Sequence, residues 1–236
     1  MANPFEAYQR ELRQSDRDPS TINRYVQMLD SYRQWLGDRQ PDTTTAKEFL
    51  AYLRDRGYAP ASVRLYYHAL KQFLEFLGQP LKLKLRRVET LPPYYDRGDV
   101  EALIHQAEIG LYHETKRQRQ RNQALILTLA FSGVRKAELL NLVVSDIDFN
   151  QRRIRVRQGK GRKDRVIPMA QRLVIPLRQE CLNKSANQRV FDGLNARSVY
   201  RIVTSLAKRC GLTSFHPHNL RHWFACQLVE QDVKIG

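Results

Sequence analysis

The sequence predicts a mainly α-helical protein with a small β-sheet, arranged as an N-terminal four-helix bundle and a larger C-terminal domain. Three observations lead there. Apolar residues recur at three- and four-residue steps through residues 1–79, the spacing of one helix face. A stretch rich in proline and basic residues, 80–95, then breaks that rhythm. Helical spacing resumes over 96–236, interrupted by one alternating segment around a Gly-Lys-Gly tip, which reads as a β-hairpin or small sheet.

In chain order, FEAYQRELRQS forms a first short helix. TINRYVQMLDSYRQWLGD sets Ile22, Tyr25, Met28, Leu29, Tyr32 and Leu36 on one face, with Asp18-Pro19-Ser20-Thr21 as the start and Gly37 as the stop. TTTAKEFLAYLRDRGYA gives a third helix, capped by one of its threonines and ended at Gly57. PASVRLYYHALKQFLEFLG gives a fourth, with Pro60 in the first turn and Gly78 just past the end. Short connections between four such helices make a bundle. Pro80, Pro92 and Pro93, with Lys82, Lys84, Arg86 and Arg87 between them, read as a basic interdomain linker. The second domain starts near Asp96 with DRGDVEALIHQAE, followed by the strongly apolar and buried RNQALILTLAFSGV. RKAELLNLVVSDIDF is a short helix and a turn. In QRRIRVRQGKGRKDRVIPM, Ile154 and Val156 share a face, with Val166 and Ile167 after the tip. Helices return in AQRLVIPLRQECLNK, NARSVYRIVTSLAKRCG and HNLRHWFACQLVEQ.

The totals narrow the class of function. No apolar run approaches the roughly 18 residues needed to cross a bilayer, and the N-terminus lacks the apolar core of a secretory signal, so the reading is cytoplasmic. Three scattered cysteines, Cys181, Cys210 and Cys226, fit buried free thiols rather than a disulfide framework or a zinc site. Forty Lys and Arg against 24 Asp and Glu leave a net charge of +16. That excess suits a polyanion, and without a basic amphipathic helix carrying a broad aromatic face, nucleic acid leads over membrane.

Three constellations could carry chemistry. Arg135 lies at the junction of the apolar helix and the next, with Glu138 one turn on. The pair is either a local ion pair or a braced guanidinium fork offered to phosphate. Residues 152–168 hold eight basic side chains against one acid, Asp164. At their tip, Lys160 lies between two glycines that permit close backbone approach to another molecule. The tip lacks the spacing of a nucleotide-binding P-loop. His218 and Arg221, at i and i+3, share a helix face and can address one target, the arginine by charge and the imidazole by proton exchange. His216 adds an HxH pattern, but no carboxylate or cysteine accompanies it at ligand spacing, so neither metal nor cofactor is expected.

FSGVRKAELLNLVVSDIDF, GKGRKDRVIPM and HPHNLRHWFACQLVE, in that order and spacing, resemble the motif boxes of the tyrosine recombinase/phage integrase family, nearest its Xer-like and integron-integrase branches. The first matches T-G-x-R-x-x-E-L-x-x-L with Ser132 in place of Thr, the second G-K-G-x-K-x-R-x-x-P, and the third H-x-L-R-H-x-F-A. Residues 3–79 resemble the family's SAM-like core-binding bundle. The resemblance implies domains at 1–79 and 96–236 joined by a linker at 80–95, and double-stranded DNA clamped between the two. It implies that Arg135 and Arg221 grip the scissile phosphate, that Glu138 braces Arg135, and that His218 is an acid/base partner. Lys160 would be the general acid for the departing 5′ oxygen, with Lys163 the rival if the hairpin register shifts. Lys82, Lys84, Arg86, Arg87, Arg157, Arg162, Lys163 and Arg165 would lie along the DNA. Two arginines supply the charge that metals give other phosphoryl-transfer sites, so none is needed.

The family continues beyond these boxes into a further helix with a second His or Trp and then the nucleophilic Tyr, and QDVKIG is where that continuation would begin. The expectation is therefore a site-specific recombinase cut short, able to hold DNA but not to form the 3′-phosphotyrosine, and with its assembly as a tetramer on DNA weakened. The competing readings are a DNA-binding regulator or architectural protein on the same fold, and an RNA-binding protein. The first has no reason to gather Arg135, Lys160, His218 and Arg221 around one phosphate. The second is disfavoured because no aromatic-rich stacking sheet is visible.

Overall fold

The computed structural model describes residues 3–85, 93–157 and 164–230. The chain divides into two compact units, Met1–Leu91 and Pro92–Gly236. Among the described residues no helix is long and apolar enough to cross a membrane.

The first unit consists of α1 (Pro4–Gln14), α2 (Pro19–Leu36), α3 (Thr43–Asp55) and α4 (Pro60–Phe76). Prolines open α1, α2 and α4 at the first helical position, where the missing N–H costs no hydrogen bond. The cap of α3 differs from expectation: Asp42 occupies it and accepts from the Thr45 N–H at 2.7 Å, while the Thr45 hydroxyl receives the Asp42 N–H at 3.0 Å. A carboxylate outcompetes a threonine hydroxyl for an orphan N–H because it carries full charge into the positive end of the helix. The same Thr45 hydroxyl also bonds the buried Tyr32 hydroxyl at 2.7 Å.

Aromatic side chains fill this unit's centre. Phe73 stacks on Phe5 with centroids 4.6 Å apart and tilts against Tyr8 at 5.6 Å, and Leu29, Tyr32, Phe49 and Leu70 close around them. Leu81 belongs to the same core and Leu83 packs against it, so the chain stays with the bundle past residue 79. Residue 95 lies with the second unit: the Tyr95 ring meets Phe215 edge-on at 4.6 Å and its hydroxyl donates to the Thr213 carbonyl.

The second unit is built on α6 (Lys116–Ser132), whose latter half is buried on every side, as a helix without a polar face must be. Around it pack α5 (Arg97–Ile109), α8 (Gln171–Cys181) and α10 (Pro217–Glu230), with α9 (Ala196–Arg209) against α5 and the short α7 (Lys136–Asn141). The sheet has three antiparallel strands in sequence order, β1 (Ile147–Asp148), β2 (Arg153–Val156) and β3 (Arg165–Pro168). Ile154 pairs with both Ile147 and Ile167, and Val156 with Arg165. Ile154, Val156 and Ile167 enter the core while Val166 faces out, 57% exposed, because neighbouring strand residues point to opposite faces. Of the three free cysteines, only Cys181 is buried, and burial raises its thiol to about 11; Cys210 and Cys226 are half-buried.

Phe73→Ala tests the aromatic core of the first unit. It should cost about 3–5 kcal/mol, read as an earlier urea midpoint for the first unit by circular dichroism. A cost below about 1 kcal/mol would mean that the cluster does not carry the bundle.

Candidate active site

The site begins where α6 stops. Gly133 takes a left-handed conformation, φ 60° and ψ 17°, which ends the helix without a Cβ penalty. Ser132 finishes the turn, donating to the Thr128 carbonyl at 2.6 Å and accepting from the Val134 N–H. Val134 then drops into the core, and the extended backbone of Arg135 launches α7. A buried residue on one side and a new helix on the other fix where the Arg135 side chain emerges.

Glu138 organises the cations around it. Its side chain is 7% exposed, yet it accepts four hydrogen bonds. The Arg135 N–H reaches Oε2 at 2.7 Å and Arg135 Nη1 reaches Oε1 at 2.9 Å. Arg165, at the start of β3, adds a two-pronged contact at 2.9 and 2.7 Å. Burial alone would raise the Glu138 carboxyl, but the Arg165 and Arg135 bonds outweigh it and hold the group at about 2. The same contact raises Arg165.

α10 supplies the opposite wall. The Asn219 side chain accepts the His216 N–H at 2.8 Å, fixing the helix start, and places His218 in the first turn with Arg221 one turn later. Arg221 donates through Nη1 to the Gly133 carbonyl. Burial lowers the pKa of this guanidinium, as do Arg135 and Arg165, while Glu138 offsets them. His216 and His218 stack with centroids 6.4 Å apart. Burial, and then its neighbour His218, lower His216, favouring its neutral form.

Arg135, His218 and Arg221 line one cleft of about 490 Å³ with His216, Lys136 and Tyr200. Among the described residues no acidic side chain lines it; Glu138 compensates from behind. Such a cleft fits an anion with several oxygens. Sequence reasoning passed over Lys136 and Tyr200. Adjacency to Arg135 could have flagged the first. The second shows only as an aromatic on the amphipathic α9, 49% exposed.

The other candidate residues divide. Lys160, Arg162 and Lys163 lie outside the described residues, as do Arg86 and Arg87. Lys82 and Lys84 are exposed and border a shallow basic groove of about 580 Å³ in the first unit, with Lys71 and Tyr67. Of the two described hairpin arginines expected along DNA, Arg157, its side chain 52% exposed, directs Nε to the buried Asp146 at 2.6 Å, and Arg165 engages Glu138. Both are held by carboxylates brought close only by the fold.

Comparison with known proteins bears on this arrangement. The phage integrase family profile matches residues 95–235, and the profile for the phage integrase N-terminal SAM-like domain matches residues 5–75. The chain belongs to this family of tyrosine recombinases. It is 32% identical to the tyrosine recombinase XerA of Thermococcus kodakarensis, over 98% of this chain and 82% of that one. It is 30% identical to XerA of Pyrococcus horikoshii, over 92% and 76%. Among solved structures, the Tn1549 transposon integrase in complex with circular intermediate DNA aligns with a TM-score of 0.73 at 17% identity, covering 99% of this chain and 89% of that one. XerH site-specific recombinase bound to palindromic difH substrate aligns at 0.72 and 22% identity, covering 90% and 70%. At these identities the two structures speak for the fold: a SAM-like N-terminal domain and a tyrosine recombinase catalytic domain.

Glu138→Gln tests the brace. Because the folded carboxyl lies at about 2 against an ordinary 4.5, its contribution is present above pH 4.5 and is lost as pH falls through about 2. The substitution should lower stability at pH 7 by on the order of 3 kcal/mol and flatten the acid limb of the stability profile between those limits. An unchanged acid limb would show that Glu138 is not the braced group.

Proposed function

We propose that the protein is a site-specific DNA recombinase that binds duplex DNA and holds the scissile phosphate in the cleft of Arg135, His218 and Arg221. The observation that carries this is the cleft itself: two guanidiniums and an imidazole, from α10 and the α6–α7 junction, line one cavity with the carboxylate of Glu138 set behind it. Arg135 and Arg221 bond the non-bridging oxygens. They offset the charge that builds on the phosphoryl group as a tyrosine oxygen attacks phosphorus and the bond to the 5′ oxygen breaks. Glu138 orients Arg135 and reduces its repulsion with Arg221, so that the pair is set before DNA arrives. His218 exchanges a proton at the phosphate. Lys160, which falls between β2 and β3 in the sequence, gives its proton to the departing 5′ oxygen. We assign no residue of this chain the part of nucleophile. XerH bound to its difH substrate and the Tn1549 integrase in complex with circular intermediate DNA support duplex DNA as the partner, as does the charge of +16.

Fluorescence anisotropy with a labelled duplex across a salt series tests the reading. Affinity should fall steeply with salt. Arg135→Ala and Arg221→Ala should each reduce the slope of log K against log salt, by up to about 0.9 for loss of the one phosphate they share. A protein that meets DNA only through other surfaces keeps its slope in both variants, and that result would leave a DNA-binding regulator on the same fold.

A further inference from the structure

Gly133 receives two contacts from α10. A Cβ on Gly133 would lie 2.4 Å from Phe224 Cδ1 and 2.7 Å from Cε1. The Phe224 ring therefore occupies the volume that any side chain at 133 would need. Three residues earlier on the same helix face, Arg221 donates to the Gly133 carbonyl. Gly133 in turn stands two residues before Arg135. Both arginines of the cleft are thus referred to one backbone position, and the ring determines how closely α10 approaches it.

Phe224 is poorly placed for a purely structural role. It is half-buried, and its free surface lines an apolar groove of about 540 Å³ with Phe131, Ile167, Met169 and Leu228. Trp223, beside it, is the buried aromatic of this helix and meets Phe131 edge-on at 5.9 Å. That contact anchors α10 on α6 without help from Phe224.

We propose that Phe224 is a positioning residue: the Cδ1–Cε1 edge of its ring, which fills the space beside the bare Cα of Gly133, sets the separation of Arg221 from Arg135 and so their shared reach to one phosphate. This rests on the phosphate-gripping reading above. Leucine keeps much of the apolar volume but loses the rigid ring edge against Gly133, whereas tyrosine keeps it.

The test is the same labelled duplex titrated across salt with Phe224→Leu, Phe224→Tyr, Arg221→Ala and the double variant Phe224→Leu/Arg221→Ala, folding being checked by circular dichroism. Phe224→Leu should lower the salt slope as far as Arg221→Ala does, by up to about 0.9. Phe224→Tyr should keep the slope of the unmodified protein, and the double variant should fall no further than Arg221→Ala alone. If Arg221→Ala lowers the slope while Phe224→Leu does not, or if their effects add, the positioning role is overturned and the phosphate grip survives. A slope that Arg221→Ala leaves unchanged overturns the grip, and the inference with it.

Discussion

Between Arg135 and Arg165, and within the field of Arg221, sits the carboxylate of Glu138, with 7% of its side chain exposed. Three cations gathered without it would repel one another and lose hydration at once. One carboxylate with four hydrogen bonds makes the cluster tolerable in the absence of any ligand. It does not neutralise the cluster. The remaining positive charge faces the cleft, and the proposed phosphate would complete a balance that the protein leaves open, on a grip already set before binding.

The same carboxylate ties the sheet to the helices. Arg165 opens β3 and pairs with Val156 at the end of β2, and Arg157, one residue on, is held by Asp146. Both feet of the hairpin are pinned by buried acids. One of these two ends, Arg165, touches the brace of Arg135.

Much of this could be read in the sequence because the interactions are local. Helix periodicity marked α1 to α4 and the buried half of α6. The three-residue spacings of Arg135 with Glu138 and of His218 with Arg221 state a shared helix face directly. What escaped notice depends on contacts distant in sequence. Arg165 is 27 residues from Glu138, and nothing in RRIRVRQGKGRKDR distinguishes a cation that will find a buried acid from one that stays in solvent. Tyr200 faces the cleft from a helix whose spacing shows only amphipathicity. Asp42 took the cap expected of a threonine, a competition between neighbours that propensity alone does not resolve. Gly133 was visible as a helix stop, but the ring above it belongs to α10, far along the chain.

Two guanidiniums on one phosphate must respond to DNA as a pair. Nitrogen-15 NMR of arginine-labelled protein, titrated with a duplex, follows the Nε resonances of Arg135 and Arg221 separately. Both should shift along the same binding curve, and Arg135→Ala should abolish the response of Arg221 or displace it to weaker binding. A titration in which Arg221 moves unchanged without Arg135, or in which neither resonance moves while the duplex binds, contradicts a common grip on one phosphodiester.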